Sequence, residues 1–263
     1  MNHTLDDRQR LAHPLPGVTP AVRQVGLDRP MHWLRLGARD VMRTPGPSLG
    51  LGLLVAAVGL LLSTMAWQAT YIAPALLGGF LLVGPFLAIT LYGLTRQLED
   101  NEPTDLRRAW QAMRGNAGSI ALFGLLLALA YIFWERLAAI LFAFYYDGQA
   151  IHLSQLMADV LLSGQYLGLM LTFLGAGALL AIAVFAFSVV SAPLLVDRPV
   201  DVITAALTSL QCCLRNPAPM LLWAALIVAL VLAGFLTLML GLIFVFPLLA
   251  HASWHAYRDM VEA

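Results

Sequence analysis

Two histidines four residues apart, His251 and His255, form the pair best spaced for chemistry in this 263-residue chain. On a helix, residues at i and i+4 share a face, so both imidazoles can approach one metal ion or haem iron. A site needs further ligands. Asp259 stands at the next i+4 position, and His32 is the histidine able to approach from the N-terminal side. The competing expectation, which is adopted, is a band of His, Trp254 and Tyr257 at lipid-headgroup depth, with no metal or cofactor.

A second candidate is Glu135-Arg136, the charged pair inside a long apolar stretch. Charge at membrane depth is functional by default. From Gly118 to Glu135, however, is about 26 Å of helix, which carries the pair to the far end of the span. Adjacent helical residues also point away from each other, so the reading is a snorkelling arginine. Cys212 and Cys213 are adjacent, a spacing that suits neither a disulfide nor a metal framework. The sequence contains no P-loop, dinucleotide-binding glycines, HExxH or nucleophile elbow, and the expectation is that it is no enzyme.

These residues have to be positioned by membrane helices. The chain is 60% hydrophobic and 11% charged, far from the composition of a soluble domain. Net charge is zero, which gives no footing for nucleic-acid binding. Apolar stretches long enough to cross a bilayer recur from Ser48 onward. Residues 1–46 lack the hydrophobic core of a signal peptide, so the first span reads as an uncleaved anchor. Residues 1–28 read as a flexible polar tail, and 29–263 as one integral membrane domain.

Spans are expected near 48–67, 72–95, 118–138, 167–193, 218–234 and 236–256. Ala218 to Ala250 carries no charge, and as one helix it would run about 50 Å, so a turn is expected near Gly234. The run from Leu167 to Val196, about 45 Å as one helix, must tilt, protrude or kink at Pro193. Gly177 and Ala181 offer a small-residue helix contact. All 15 basic residues are arginine. Seven precede the first span, four lie between the second and third, two between the fourth and fifth, and one after the sixth, leaving only Arg136 elsewhere. Positive charge is retained in the cytoplasm, so both termini are expected there, with the Arg-free loop of Asp147, His152 and Asp159 outside.

The chain also repeats itself, over about 30–98, 103–197 and 199–259. Each unit begins with a proline and an amphipathic stretch, reaches an arginine and enters a hairpin. The junctions read MRTPGPS at Met42, MRGNAGS at Met113 and LRNPAPM at Leu214. The hairpins end alike, with PFLAITLYGLTR closing on Arg96, PLLAHASWHAYR on Arg258 and SAPLLVDR on Arg198. Val200, Ile203, Leu207, Leu210 and Leu214 fall on one helical face, as do Arg35, Arg39 and Arg43 on another helix. The fold class is therefore an all-α transmembrane bundle of three related hairpins, each preceded by a cytoplasmic amphipathic helix in the headgroup plane. Arg35, Arg39, Arg43, Arg114 and Arg215 are the expected lipid-headgroup contacts.

Through LLVGPFLAITLYGL, FSVVSAPLLVDRPVDVITAALTSL, LRNPAPM and PLLAHASWHAYRD, the chain resembles the bacterial integral membrane proteins grouped as domain of unknown function 2189, over about residues 25–260. The resemblance implies a multispan protein of a bacterial inner membrane with no assigned activity and no transferable site residues. Some members carry labels relating them to cytochrome c oxidase. A catalytic oxidase subunit is excluded because only His251 and His255 lie in a span, too few for its haems and copper. The leading expectation is an accessory or assembly partner of another membrane complex. The alternatives are a small-molecule or lipid transporter, suggested by Gly78, Gly79 and the Gly84-Pro85 step, and a metal- or haem-handling protein using His251 and His255.

Overall fold

A computed structural model of the chain describes residues 20–68, 87–145 and 166–262. The tail residues 1–19, the start of the second expected span with Gly78, Gly79, Gly84 and Pro85, and the loop with Asp147, His152 and Asp159 lie outside the described residues. Among the described residues the structure is helical, apart from turns, extended segments and one isolated antiparallel bridge between Val22 and Val261.

The first helix, α1 (Arg29–Arg43), stops at Thr44, and α2 (Pro45–Gln68) starts at once. The same break separates α8 (Val202–Arg215) from α9 (Pro217–Leu236) at Asn216. Thr44 has φ −126° and ψ 52°, and Asn216 has φ −128° and ψ 52°. The cause is the following proline, which bars the α conformation from the residue before it and then serves as the first residue of a new helix. A third break, at Gly115-Asn116, separates α4 (Leu106–Arg114) from α5 (Ala117–Tyr145). The prolines ahead of α4 and α8 do not open those helices. Pro103 and Pro199 each stand two residues before an aspartate that caps the helix, with Asp105 accepting from Arg107 N at 2.8 Å and Asp201 from Ile203 N and Thr204 N, both at 2.9 Å.

Residues 87–99 form α3. The long apolar run of the second unit divides into α6 (Leu167–Ser188) and α7 (Ser191–Asp197), broken at Val189-Val190. Pro193 lies four residues beyond Val189, where its ring meets the Val189 carbonyl and its nitrogen offers no hydrogen. Ser209 stabilises the break, accepting from Val190 N at 3.2 Å and donating to Ala186 O at 2.8 Å. The last apolar run turns at 237–241 rather than at Gly234, and α10 (Leu242–Met260) follows. Thr237 Oγ1 organises this turn, donating to Gly234 O at 2.8 Å and accepting from Gly241 N at 2.7 Å. Gly234 lies within α9 and makes room for Leu242, whose Cδ2 would lie 2.6 Å from a Cβ at that position.

Among the described residues, four helical stretches are long and apolar enough to cross a membrane: Pro45–Thr64, Ala117–Tyr145, Leu167–Asp197 (α6 with α7) and Pro217–Leu236. Their outward faces carry exposed Leu, Ile and Phe, such as Leu61, Leu129, Ile182 and Leu232. The buried core is richest where α10 packs on α1 and α2. Trp33, Trp223, Trp254 and Tyr257 are all fully buried there. Two close crossings set this packing. A Cβ at Gly37 would lie 2.8 Å from both Ala252 N and Leu248 O, and one at Gly52 would lie 2.1 Å from Ile243 O. Gly177 does not join a backbone contact with Ala181; it seats the ring of Trp134, which stands edge-on to Phe173 at 4.9 Å.

Candidate functional site: the polar end of the bundle

The chain's polar side chains gather where the helices α2, α5 and α9 begin and α3, α7 and α10 end. α10 brings His251, His255, Tyr257, Arg258 and Asp259 to this end, but not as one ligand set. His251 is fully buried, with Nε2 3.0 Å from Ser48 Oγ and Nδ1 2.6 Å from Thr95 Oγ1. Ser48 continues to Thr44 at 2.9 Å, and Thr44 donates to Asp40 O at 2.9 Å. The ring therefore joins α2 to α3 through a chain of hydroxyls. His255 faces α1 instead, with Nε2 2.7 Å from Asp40 Oδ2 and Nδ1 3.8 Å from Glu99 Oε1. Asp259 is held by Arg29, at 2.6 and 2.9 Å, and by Trp33 Nε1 at 2.8 Å.

His251 thus has both ring nitrogens, and His255 its Nε2, within hydrogen-bond distance of protein side chains, and the residue that α1 presents to His255 is Asp40, not His32. Among the described residues, no three His, Cys, Asp or Glu side chains are arranged to hold a metal ion. Nor do His251, Trp254 and Tyr257 form a surface band, since all three are fully buried in protein.

The centre of this end is Asp197, at the close of α7, whose side chain is 11% exposed. Its Oδ2 accepts from Tyr257 OH at 2.5 Å. Three arginines surround the carboxylate: Arg96 at 3.7 Å, Arg198 at 3.7 Å and Arg258 at 3.5 Å. These are the arginines that end the three repeated sequence units. Arg258 also pairs with Glu99 at 3.2 Å, which links the cluster to His255 and Asp40. Burial pulls the Arg258 pKa down, but Glu99 and Asp197 outweigh it and hold the group above its ordinary value. Burial, reinforced by Asp197, holds the Tyr257 hydroxyl well above its ordinary value, so it remains a donor.

The junction asparagines tie neighbouring units together. Asn116 Nδ2 donates to the carbonyls of Leu195, Arg198 and Val200, at 3.0, 3.3 and 3.0 Å. Asn216 donates to Arg23 O at 3.0 Å and accepts from Val25 N at 2.8 Å. The second junction therefore grips the segment ahead of α8, and the third grips the segment ahead of α1. Residues 20–28, read from the sequence as tail, are held in this way and by the Val22–Val261 bridge. Arg215 adds a bond to Val22 O at 2.9 Å.

Arg35, Arg39, Arg43 and Arg114 lie exposed at the same end. Glu135 and Arg136 lie elsewhere, along α5, and they do meet. Arg136 Nε donates to Glu135 Oε2 at 2.6 Å, contrary to the expectation that neighbours in sequence do not pair. The long guanidinium folds back because an apolar surface offers the carboxylate no other partner. Cys212 and Cys213 are free; burial pushes the Cys212 thiol up to about 12 and that of Cys213 up to about 11.

Residues 71–197, which span α3 to α7 and end on Asp197, match the model of a family described as predicted integral membrane protein (DUF2189). The match is narrower than the expected 25–260 and includes LLVGPFLAITLYGL and SAPLLVD, but neither LRNPAPM nor PLLAHASWHAYRD. No curated protein and no solved structure matches the chain. Sequence reasoning missed Asp40, Ser48, Thr95, Glu99 and Asp197. A signal was present in Asp40, Thr44 and Ser48, whose four-residue spacing matches that of His251, His255 and Asp259 on α10.

Proposed function

We propose that the protein crosses a bacterial inner membrane six times as three related hairpins, with both termini in the cytoplasm, and serves as a non-catalytic accessory or assembly partner of another membrane complex. The observation that carries this reading is the convergence of Arg96, Arg198 and Arg258 on Asp197. The ionisable groups at the hairpin ends hold the hairpins together instead of lining a path. Fourteen of the 15 arginines fall on the proposed cytoplasmic side, as retention of positive charge requires.

The helices ahead of the hairpins support an interfacial setting. α8 buries Val202, Ala205 and Cys212 together with Thr204, Thr208 and Ser209, while exposing Ile203, Leu207 and Leu214. Outward-facing large apolar side chains suit a helix lying on lipid, with Arg35, Arg39, Arg43, Arg114 and Arg215 at headgroup depth. A polar-solute transporter is less well supported, because the crevice between the hairpins is lined mainly by apolar side chains. Metal or haem handling by the pair has less support, because His251 engages hydroxyls with both ring nitrogens and His255 engages Asp40 with Nε2.

The test is crosslinking in intact cells, followed by mass spectrometry of the tagged chain, alongside native gels of membranes from a deletion strain. The accessory reading expects one membrane complex to be captured and to be depleted or altered on deletion. Unchanged complexes with no specific crosslink would refute it.

A further inference from the structure

Helices α3, α5, α6, α9 and α10 enclose a crevice of about 320 Å³. Leu127 and Ile227, on two of its walls, each lie about 15 Å along their helices from the polar end. That distance is half of a ~30 Å bilayer core, so the crevice reaches membrane mid-depth. The volume is that of a small-molecule site. Its lining contains no charged side chain, so an ionic ligand would meet no counter-charge there.

The lining is nevertheless not wholly apolar. Tyr92 of α3, Ser188 of α6 and Ser253 of α10 each bring a hydroxyl to it. Tyr92 is 7% exposed and hydrogen-bonded to Ser253. Ser253 spends its own hydrogen on Leu249 O at 2.7 Å, so Tyr92 is the donor in that pair. Ser188 differs. Among the described residues its hydroxyl makes no hydrogen bond, whereas Ser191, one turn on, donates to Phe187 O at 2.6 Å. A hydroxyl left alone in an apolar wall is unfavourable until an acceptor reaches it.

These features define the ligand. It is uncharged, it enters from lipid, and it carries an oxygen that accepts from Ser188. An acyl chain has the right polarity for the walls but would leave that hydroxyl unsatisfied. The rings of Phe123, Phe185 and Phe246 join Tyr92 in the lining, and aromatic side chains pack well on a flat ring.

We infer that this crevice binds the ring of a lipid-soluble quinone, with one carbonyl oxygen accepting from Ser188 Oγ and the ring held among Tyr92, Phe123, Phe185 and Phe246. The site depends on the membrane setting, but on neither the accessory role nor which face is cytoplasmic.

The experiment is native mass spectrometry of the full chain in detergent micelles, titrated with decylubiquinone or with decylbenzene, which keeps a ring and the tail but lacks the ring oxygens. The expected result is saturable binding of one quinone per chain, retained about fivefold or more over decylbenzene, the worth of a single hydrogen bond. Ser188→Ala, which removes a hydroxyl that holds nothing in the protein, should abolish this preference and leave decylbenzene retention and the melting temperature unchanged. Equal retention of the two compounds would mark a crevice for acyl chains and overturn the assignment. So would a preference that survives Ser188→Ala, or quinone uptake that does not saturate. Should Ser188→Ala fail to fold, the comparison of the two compounds on the unaltered chain still decides. Failure of the accessory role would appear separately, in the crosslinking and deletion experiment above.

Discussion

Asp197 carries more of the fold than its single charge suggests, because three arginines from three units and a buried tyrosine hydroxyl all depend on it. The arginines are 24–43% exposed, so each pair taken alone is worth little. Removing their shared counterion nevertheless leaves three like charges together at a half-buried site. Asp197→Ala should cost about 2 kcal/mol, between the ranges for exposed and buried pairs, and lower the melting temperature in detergent. Tyr257 gives a pH test of the same site. Its folded pKa is raised above the ordinary 10.0 by burial and by Asp197. Its contribution is therefore fully present below pH 10 and declines as pH rises above that value. Thermal melts from pH 8 to 11.5 should show a loss of stability above pH 10 that is smaller in Tyr257→Phe. Identical slopes would exclude this role.

At the scale of elements, the close approach of α2 to α10 depends on Gly52. Any Cβ there would collide with the carbonyl of Ile243, which is backbone and cannot swing aside. Gly52→Val should destabilise the bundle by about 3 kcal/mol, at the upper end for overpacking, and should reduce the yield of monodisperse protein. The helix breaks were legible in the sequence, because a proline after Thr44 or Asn216 leaves the backbone little choice. The cap residues Asp105 and Asp201 were not anticipated, since attention fell on the prolines two residues earlier. The turn at 237–241 was misplaced by a few residues because Gly234 resembles a breaker but acts as a packing site for Leu242. The polar cluster was largely hidden. Apart from Arg198, which directly follows Asp197, its acid–base and tyrosine partners are 60 to 230 residues apart, and neither charge count nor periodicity records which acid meets which base. His251 and His255 were singled out as ligand candidates, whereas one is bonded to hydroxyls and the other to the Asp40 carboxylate.

At the scale of the whole molecule, the described ends of the chain lie side by side, joined by the Val22–Val261 bridge and by Arg23 N to Met260 O at 2.7 Å. Thr95 and Ser48 meet at His251, and Asn116 meets the residues that follow α7. Each proposed hairpin therefore starts and finishes at one level. The central claim is that this level is the cytoplasmic face. It is tested most directly with single cysteines at Arg23, Glu102, Pro199 and Glu262, all exposed, in a Cys212→Ser/Cys213→Ser background. A membrane-impermeant maleimide would be applied to sealed inside-out and right-side-out vesicles. The account predicts that all four positions label in inside-out vesicles and none labels in right-side-out vesicles. Labelling of any of the four in right-side-out vesicles would contradict it.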